Sequence, residues 1–130
     1  MPIFLKTHHL DRNGLRENLT TSRIRAAFYV DWDPQAFYSL QGHLEQLNMV
    51  VPEWFFLDPI ADTLYTSIDP EALRLMKSQP GLRILPMLTN VNERNHSGDF
   101  DGQLLSAVLL NSAKRERLIA DVERLLKQYD

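Results

Sequence analysis

Carboxylates, indoles, a phenol and an amide fall at short intervals in this chain. They occur as Tyr29-Val30-Asp31-Trp32, then as Glu53-Trp54 with Asp58, then as Thr89-Asn90. Together these types suit a carbohydrate cleft: aromatic faces stack on sugar rings while carboxylates and amides bond hydroxyls. The same residues fit inert roles. Trp54 and Tyr29 fit a plain core, and Asp31 or Asp33 fits a helix cap.

Other chemistries find less support. There is no cysteine, which excludes disulfides, thiolate metal sites and cysteine nucleophiles. His8 and His9 are adjacent, so on a strand they point apart and serve one metal poorly. His43 and His96 have no partner at a familiar ligand spacing. No glycine-rich phosphate loop occurs and no Ser-His-Asp arrangement can be argued. Gly98-Asp99-Phe100-Asp101-Gly102 does not meet the EF-hand pattern and reads as a polar turn. No metal and no cofactor are expected.

Strands and helices must position the candidate residues. Residues 23–32 are apolar in the middle and β-compatible, as expected of a strand covered on both faces. Asp33-Pro34 then reads as an N-cap with proline at the first helical position. Phe37, Leu40, Leu44 and Leu47 have helical spacing, and Asn48 ends that helix. Residues 49–57 read as a second strand, with a bulge or strand end near Pro52, which has no N–H to give. Residues 63–66 could add a short strand. Asp69-Pro70-Glu71 opens a second helix carrying Ala72, Leu73, Leu75 and Met76.

Residues 82–90 read as a third strand, followed by a polar stretch over 91–102. A short helix over 103–110 precedes a last one capped by Asn111 or Ser112, with Leu118, Ile119, Val122, Leu125 and Leu126 on one face. The fold class is α/β, with parallel strands alternating with helices in three strand–helix units. Residues 1–22 read as a leader and residues 23–130 as one domain, a partial TIM-barrel-like arrangement. A further strand is expected after the third unit, so the layout reads as the opening portion of a larger fold. Ligands of such folds bind at the C-terminal ends of the strands, where the candidate residues fall.

The 130 residues allow one core, and 44% apolar with 24% charged residues is ordinary for a globular chain. A net charge of −3 gives no reason to expect nucleic acid, whose non-specific affinity comes from basic contacts to phosphate. No apolar run approaches the ~20 residues of a membrane span.

Three stretches resemble a known family. Ala27-Phe28-Tyr29-Val30-Asp31-Trp32 is similar to the first barrel strand of the family 18 glycoside hydrolases, the chitinase-like enzymes. Asn48-Met49-Val50-Val51-Pro52-Glu53-Trp54-Phe55 resembles the second strand. Ile84-Leu85-Pro86-Met87-Leu88-Thr89-Asn90 resembles the third, in the Thr-Asn version of bacterial members related to spore-cortex lytic enzymes. Leu109-Leu110-Asn111-Ser112 through Arg117-Leu118-Ile119 resembles the helix before the catalytic strand.

This resemblance covers roughly residues 23–130. It implies a domain acting on or binding N-acetylglucosamine-containing polysaccharide. It also implies a large bacterial parent with polysaccharide deacetylase and glycosyltransferase modules, extracytoplasmic or membrane-tethered. Phe28 matches an aromatic of the sugar-binding floor, with Tyr29 the adjacent alternative, and Asn90 matches a rim position. The signature Asp-x-x-Asp-x-Asp-x-Glu is absent, so no catalytic residue is carried over.

Two other readings stay open. One is a self-contained carbohydrate- or protein-binding module, in which Trp32 and Trp54 are exposed enough to touch ligand. The other is a flavodoxin-like regulatory domain with a magnesium pocket at Asp31, Asp33 and Asp58. Three parallel strands leave open edges, which predicts a homo-oligomer with Val50, Phe55, Leu85 and Leu88 near a shared core.

Overall fold

The computed structural model describes residues 23–58, 63–91 and 98–129. The expected leader, residues 1–22, lies outside them. Among the described residues one five-stranded sheet is joined by four α-helices in a mixed α/β arrangement. Strand β1 (Ala26–Tyr29) leads to α1 (Pro34–His43), which tightens into a 3₁₀ turn over Leu44–Gln46. Strand β2 (Met49–Asp58) is followed by β3 (Thr63–Thr66) and α2 (Pro70–Lys77). Then come β4 (Arg83–Ile84), β5 (Met87–Thr89), α3 (Gly102–Leu110) and α4 (Ser112–Leu126).

Strand β2 is the axis of the sheet, and all four other strands pair with it. Strands β1, β4 and β5 run parallel to it, and β3 runs antiparallel. Residues 63–66 are thus a strand, added against the end of β2 at Phe55–Asp58. The irregularity expected near Pro52 is a register shift between Glu53 and Phe55 in the pairing with β5. The expected single third strand is two pieces. The Leu85 N–H reaches Val50 O at 2.9 Å, Pro86 has no N–H to continue the ladder, and pairing resumes at Met87. The turn before β4 uses Gly81 at φ 73°, a left-handed conformation that side chains disfavour.

Asn48 does more than end a helix. Its Oδ1 accepts from the Arg25 N–H at 2.8 Å and its Nδ2 donates to Arg23 O at 2.7 Å. The side chain thereby latches the start of β1 to the start of β2 and helps set their parallel register.

The helix starts follow local chemistry. Asp33 Oδ1 accepts from the Gln35 N–H, and Pro34 stands in the first turn of α1. Asp69 Oδ1 accepts from the Glu71 and Ala72 N–H groups at 2.9 and 3.1 Å. Asp101 caps α3 through the Leu104 N–H, and Asn111 caps α4 through the Lys114 N–H. Such caps satisfy amides that have no partner inside the helix.

Two apolar clusters hold the elements together. The larger joins Tyr29, Val50, Trp54 and Phe55 of the sheet to Leu40 and Leu44, to Ala72 and Met76, and to Leu125. The smaller joins Leu57 to Val108 and Leu118. Burial alternates along the first half of β2 and becomes continuous from Trp54 to Asp58. Strand β1 departs from expectation, because only one of its faces is covered. Tyr29 is 3% exposed, while the neighbouring Phe28 is 76% exposed. Adjacent strand residues point to opposite faces, and among the described residues nothing covers the Phe28 side.

Candidate functional site

Parallel strands place the ends of β1, β2 and β5 at one rim, and the candidate residues divide there into three groups. The first is buried. The Tyr29 hydroxyl donates to Asp69 Oδ2 at 2.5 Å, tying the end of β1 to the cap of α2. Burial pushes the Tyr29 phenol well above its ordinary range. The hydrogen bond to Asp69 adds to this, as do the negative charges of Asp69, Asp31 and Glu71. For Asp69, burial acts to raise the carboxyl, but the bonds from Tyr29 and from the Ala72 and Glu71 amides hold it below its usual value. Trp54 is fully buried. Its ring meets Tyr29 edge-on at 6.5 Å and Tyr129 at 6.0 Å.

The expectation that Trp54 is exposed enough to touch ligand is therefore corrected. Trp54 faces the helices, because strand alternation turns it to the side of Val50 and into the core.

The second group is exposed at the rim. Trp32 is 69% exposed, and its Nε1–H donates to Glu53 Oε2 at 3.1 Å. Glu53 is half-buried on β2. Asp31 is exposed and its Oδ2 accepts from the Ser67 hydroxyl at 3.3 Å. This pairing of Trp32 with Glu53 had no signal in the sequence. It follows from β1 and β2 being neighbours, with Tyr29 opposite Pro52.

The third group lies to either side. Asn90 is half-buried just beyond β5, and its carbonyl accepts from the Asp101 N–H at 2.9 Å. Phe28 lines a groove of about 490 Å³ between β1 and α1, together with Tyr29, Asp33, Ser39 and His43. This groove runs along the flank of β1 and does not include Trp32, Glu53 or Asn90.

No group of three or more His, Asp or Glu among the described residues is arranged to hold a metal ion. A magnesium pocket at Asp31, Asp33 and Asp58 is thus not assembled. Asp33 instead caps α1, and Asp58 is buried at the end of β2. No helix among the described residues is long and apolar enough to cross a membrane.

The chain is similar in fold to the crystal structure of a class V chitinase from Nicotiana tobaccum. The TM-score is 0.60 at 13% sequence identity, covering 83% of this chain and 30% of the chitinase chain. At that identity the likeness is one of fold, and this chain spans less than a third of the chitinase's length. No protein-family model matches the chain, and neither does any curated protein.

Proposed function

We propose that this chain is part of a carbohydrate-active domain of the family 18 type, made of three strand–helix units of a barrel. In this reading it binds N-acetylglucosamine-containing polysaccharide at the strand-end rim. The observation that carries it is the exposed Trp32 indole, just beyond the C-terminal end of β1, hydrogen-bonded to Glu53 in the middle of the neighbouring β2. An aromatic face beside carboxylates suits sugar rings and their hydroxyls. The fold likeness to a chitinase supports the same reading.

In this reading the chain binds without hydrolysing. Cleavage needs a positioned acid to protonate the leaving oxygen, and the sequence has no Asp-x-x-Asp-x-Asp-x-Glu. The test is calorimetry with N-acetylglucosamine oligomers, alongside an assay of chain cleavage. Binding that weakens about tenfold or more in Trp32→Ala supports the reading, since stacked aromatics are common binding anchors. No binding at millimolar oligomer sinks it. Turnover that disappears in Glu53→Gln would instead make Glu53 the acid.

The alternative, a self-contained binding module, draws on the same exposed Trp32. A stable, monomeric protein with a cooperative melt that binds glycan would favour it.

A further inference from the structure

We propose that the outer edge of β1 docks the same edge of a second copy of this chain, antiparallel, about a two-fold axis at Phe28. Among the described residues β1 pairs with β2 alone, and the groove of about 490 Å³ between β1 and α1 keeps that helix off its outer edge. Arg25 turns its N–H to Asn48 Oδ1 and its carbonyl to the Asn48 N–H. Backbone groups alternate between the two sides of a strand, so Ala26, Phe28 and Val30 present theirs to the free edge. Exposed edges are commonly blunted by a charge, a proline or a bulge. The run Ala26-Ala27-Phe28-Tyr29-Val30 has none of these.

The residues on either side of Phe28 select the occupant. In an antiparallel pair centred there, Phe28 lies opposite Phe28 of the second copy, Ala27 opposite Tyr29 and Ala26 opposite Val30. Further out, Arg25 falls opposite Asp31 and Arg23 opposite Asp33, at both ends of the pair. Ile24 and Trp32, both exposed, also fall opposite each other. Opposite charges across a strand pair stabilise it and like charges destabilise it. A parallel pair sets arginine against arginine, and a slip of two residues keeps only one of the two kinds of charge pair.

The charges are available for this. Among the described residues none of Arg23, Arg25, Asp31 and Asp33 forms an ion pair. Asp31 receives the Ser67 hydroxyl on Oδ2, and Asp33 receives the Gln35 N–H on Oδ1, which leaves each a second oxygen. Arg25 holds Gln46 O through Nε and keeps its terminal amines. The chain bends from Asp31, so the outer pairs are made by side chains and the inner ones by the ladder. The pairing continues the sheet across two copies and brings Arg25 of the second copy to the Asp31 side of the rim.

The experiment is sedimentation at low salt of the parent protein, of Arg25→Glu, of Asp31→Lys and of the two variants mixed in equal amounts. The parent is expected as a dimer. Each variant alone meets like charges at both ends and should associate about tenfold more weakly or worse, as the parent should in added salt. The mixture should regain the parent's affinity, because the two introduced charges then face each other. A thermal melt checks that both variants fold. Position 28 gives a second readout, since the chain has no cysteine. Hydrogen-bonded antiparallel partners lie about 5.5 Å apart at Cα, within reach of a disulfide. Phe28→Cys should therefore oxidise to a linked dimer, and Leu110→Cys, exposed on α3, should not. A parent protein at 15.1 kDa throughout overturns the pairing. So does unchanged association of both variants, a mixture no tighter than either variant alone, or equal cross-linking at positions 28 and 110.

Discussion

Tyr29 and Asp69 show how a residue that reads as a ligand-binding candidate can instead be a fastener. The phenol is buried and bonded to a carboxylate that is itself bonded to two amides of α2. The pH dependence follows from the two shifts. The raised Tyr29 value means its contribution is complete below the ordinary tyrosine value of about 10 and is lost as pH rises beyond it. The depressed Asp69 value means its contribution is present above the ordinary carboxylate value of about 4 and is lost as pH falls through the folded value.

Urea midpoints measured against pH test both signs. Tyr29→Phe should flatten the alkaline limb, leaving a residual slope from Tyr129, which burial also raises. Asp69→Ala should cost about 1–3 kcal/mol, through the lost cap and the unpaired Tyr29 hydroxyl. Trp54→Ala empties the middle of the core and should cost about 3–5 kcal/mol. An Asp69→Ala midpoint equal to the parent's would show that the bond to Tyr29 contributes nothing.

The strand starts depend on Asn48. One side chain closes two hydrogen bonds to the segment before β1, so the first parallel pair is held by more than its ladder. Asn48→Ala should destabilise by about 1–3 kcal/mol, and Asn48→Asp, which keeps the acceptor and loses the donor, by less. Amide exchange reads the element directly: β1 amides should lose protection before those of α2. Uniform loss across the sheet would show that Asn48 acts only through global stability. The break at Pro86 departs from the single strand expected over 82–90, although its cause, a missing N–H in the ladder, is local. The added antiparallel β3 was legible as a strand over 63–66. Its direction was not, because no residue in that stretch states which edge it will meet.

At the level of the assembled molecule the uncovered side of β1 matters most. Phe28, Leu85 and Leu88 are exposed, and among the described residues no strand pairs with the outer side of β1. The shared core expected across a homo-oligomer must be redrawn, however. Val50 and Phe55 are buried within this chain's own core, because β2 is the central strand. Leu85 and Leu88 remain available, and Phe28 joins them. We expect self-association at micromolar concentration, since covering a few hundred Å² of apolar surface at roughly 25 cal/mol per Å² rivals a small domain's stability. Sedimentation tests this. Phe28→Ser with Leu88→Ser should shift the protein toward 15.1 kDa, and a parent protein already at that mass would refute the expectation.

Local chemistry alone determined where elements begin and break. Asp33-Pro34, Asp69-Pro70 and Asn111 cap helices because a short polar side chain satisfies the first amides, and proline tolerates the first turn. Pro52 and Pro86 mark irregularities for the same local reason. Which aromatics are buried and which are exposed could not be settled locally. Tyr29, Trp32 and Trp54 are the same kinds of residue in sequence, yet two are buried and one is exposed. The difference comes from pairing and alternation: the register of β1 on β2 turns Tyr29 and Trp54 toward the helices and leaves Trp32 beyond the strand, against Glu53. Those are contacts between residues about twenty positions apart, and only the assembled sheet brings them together.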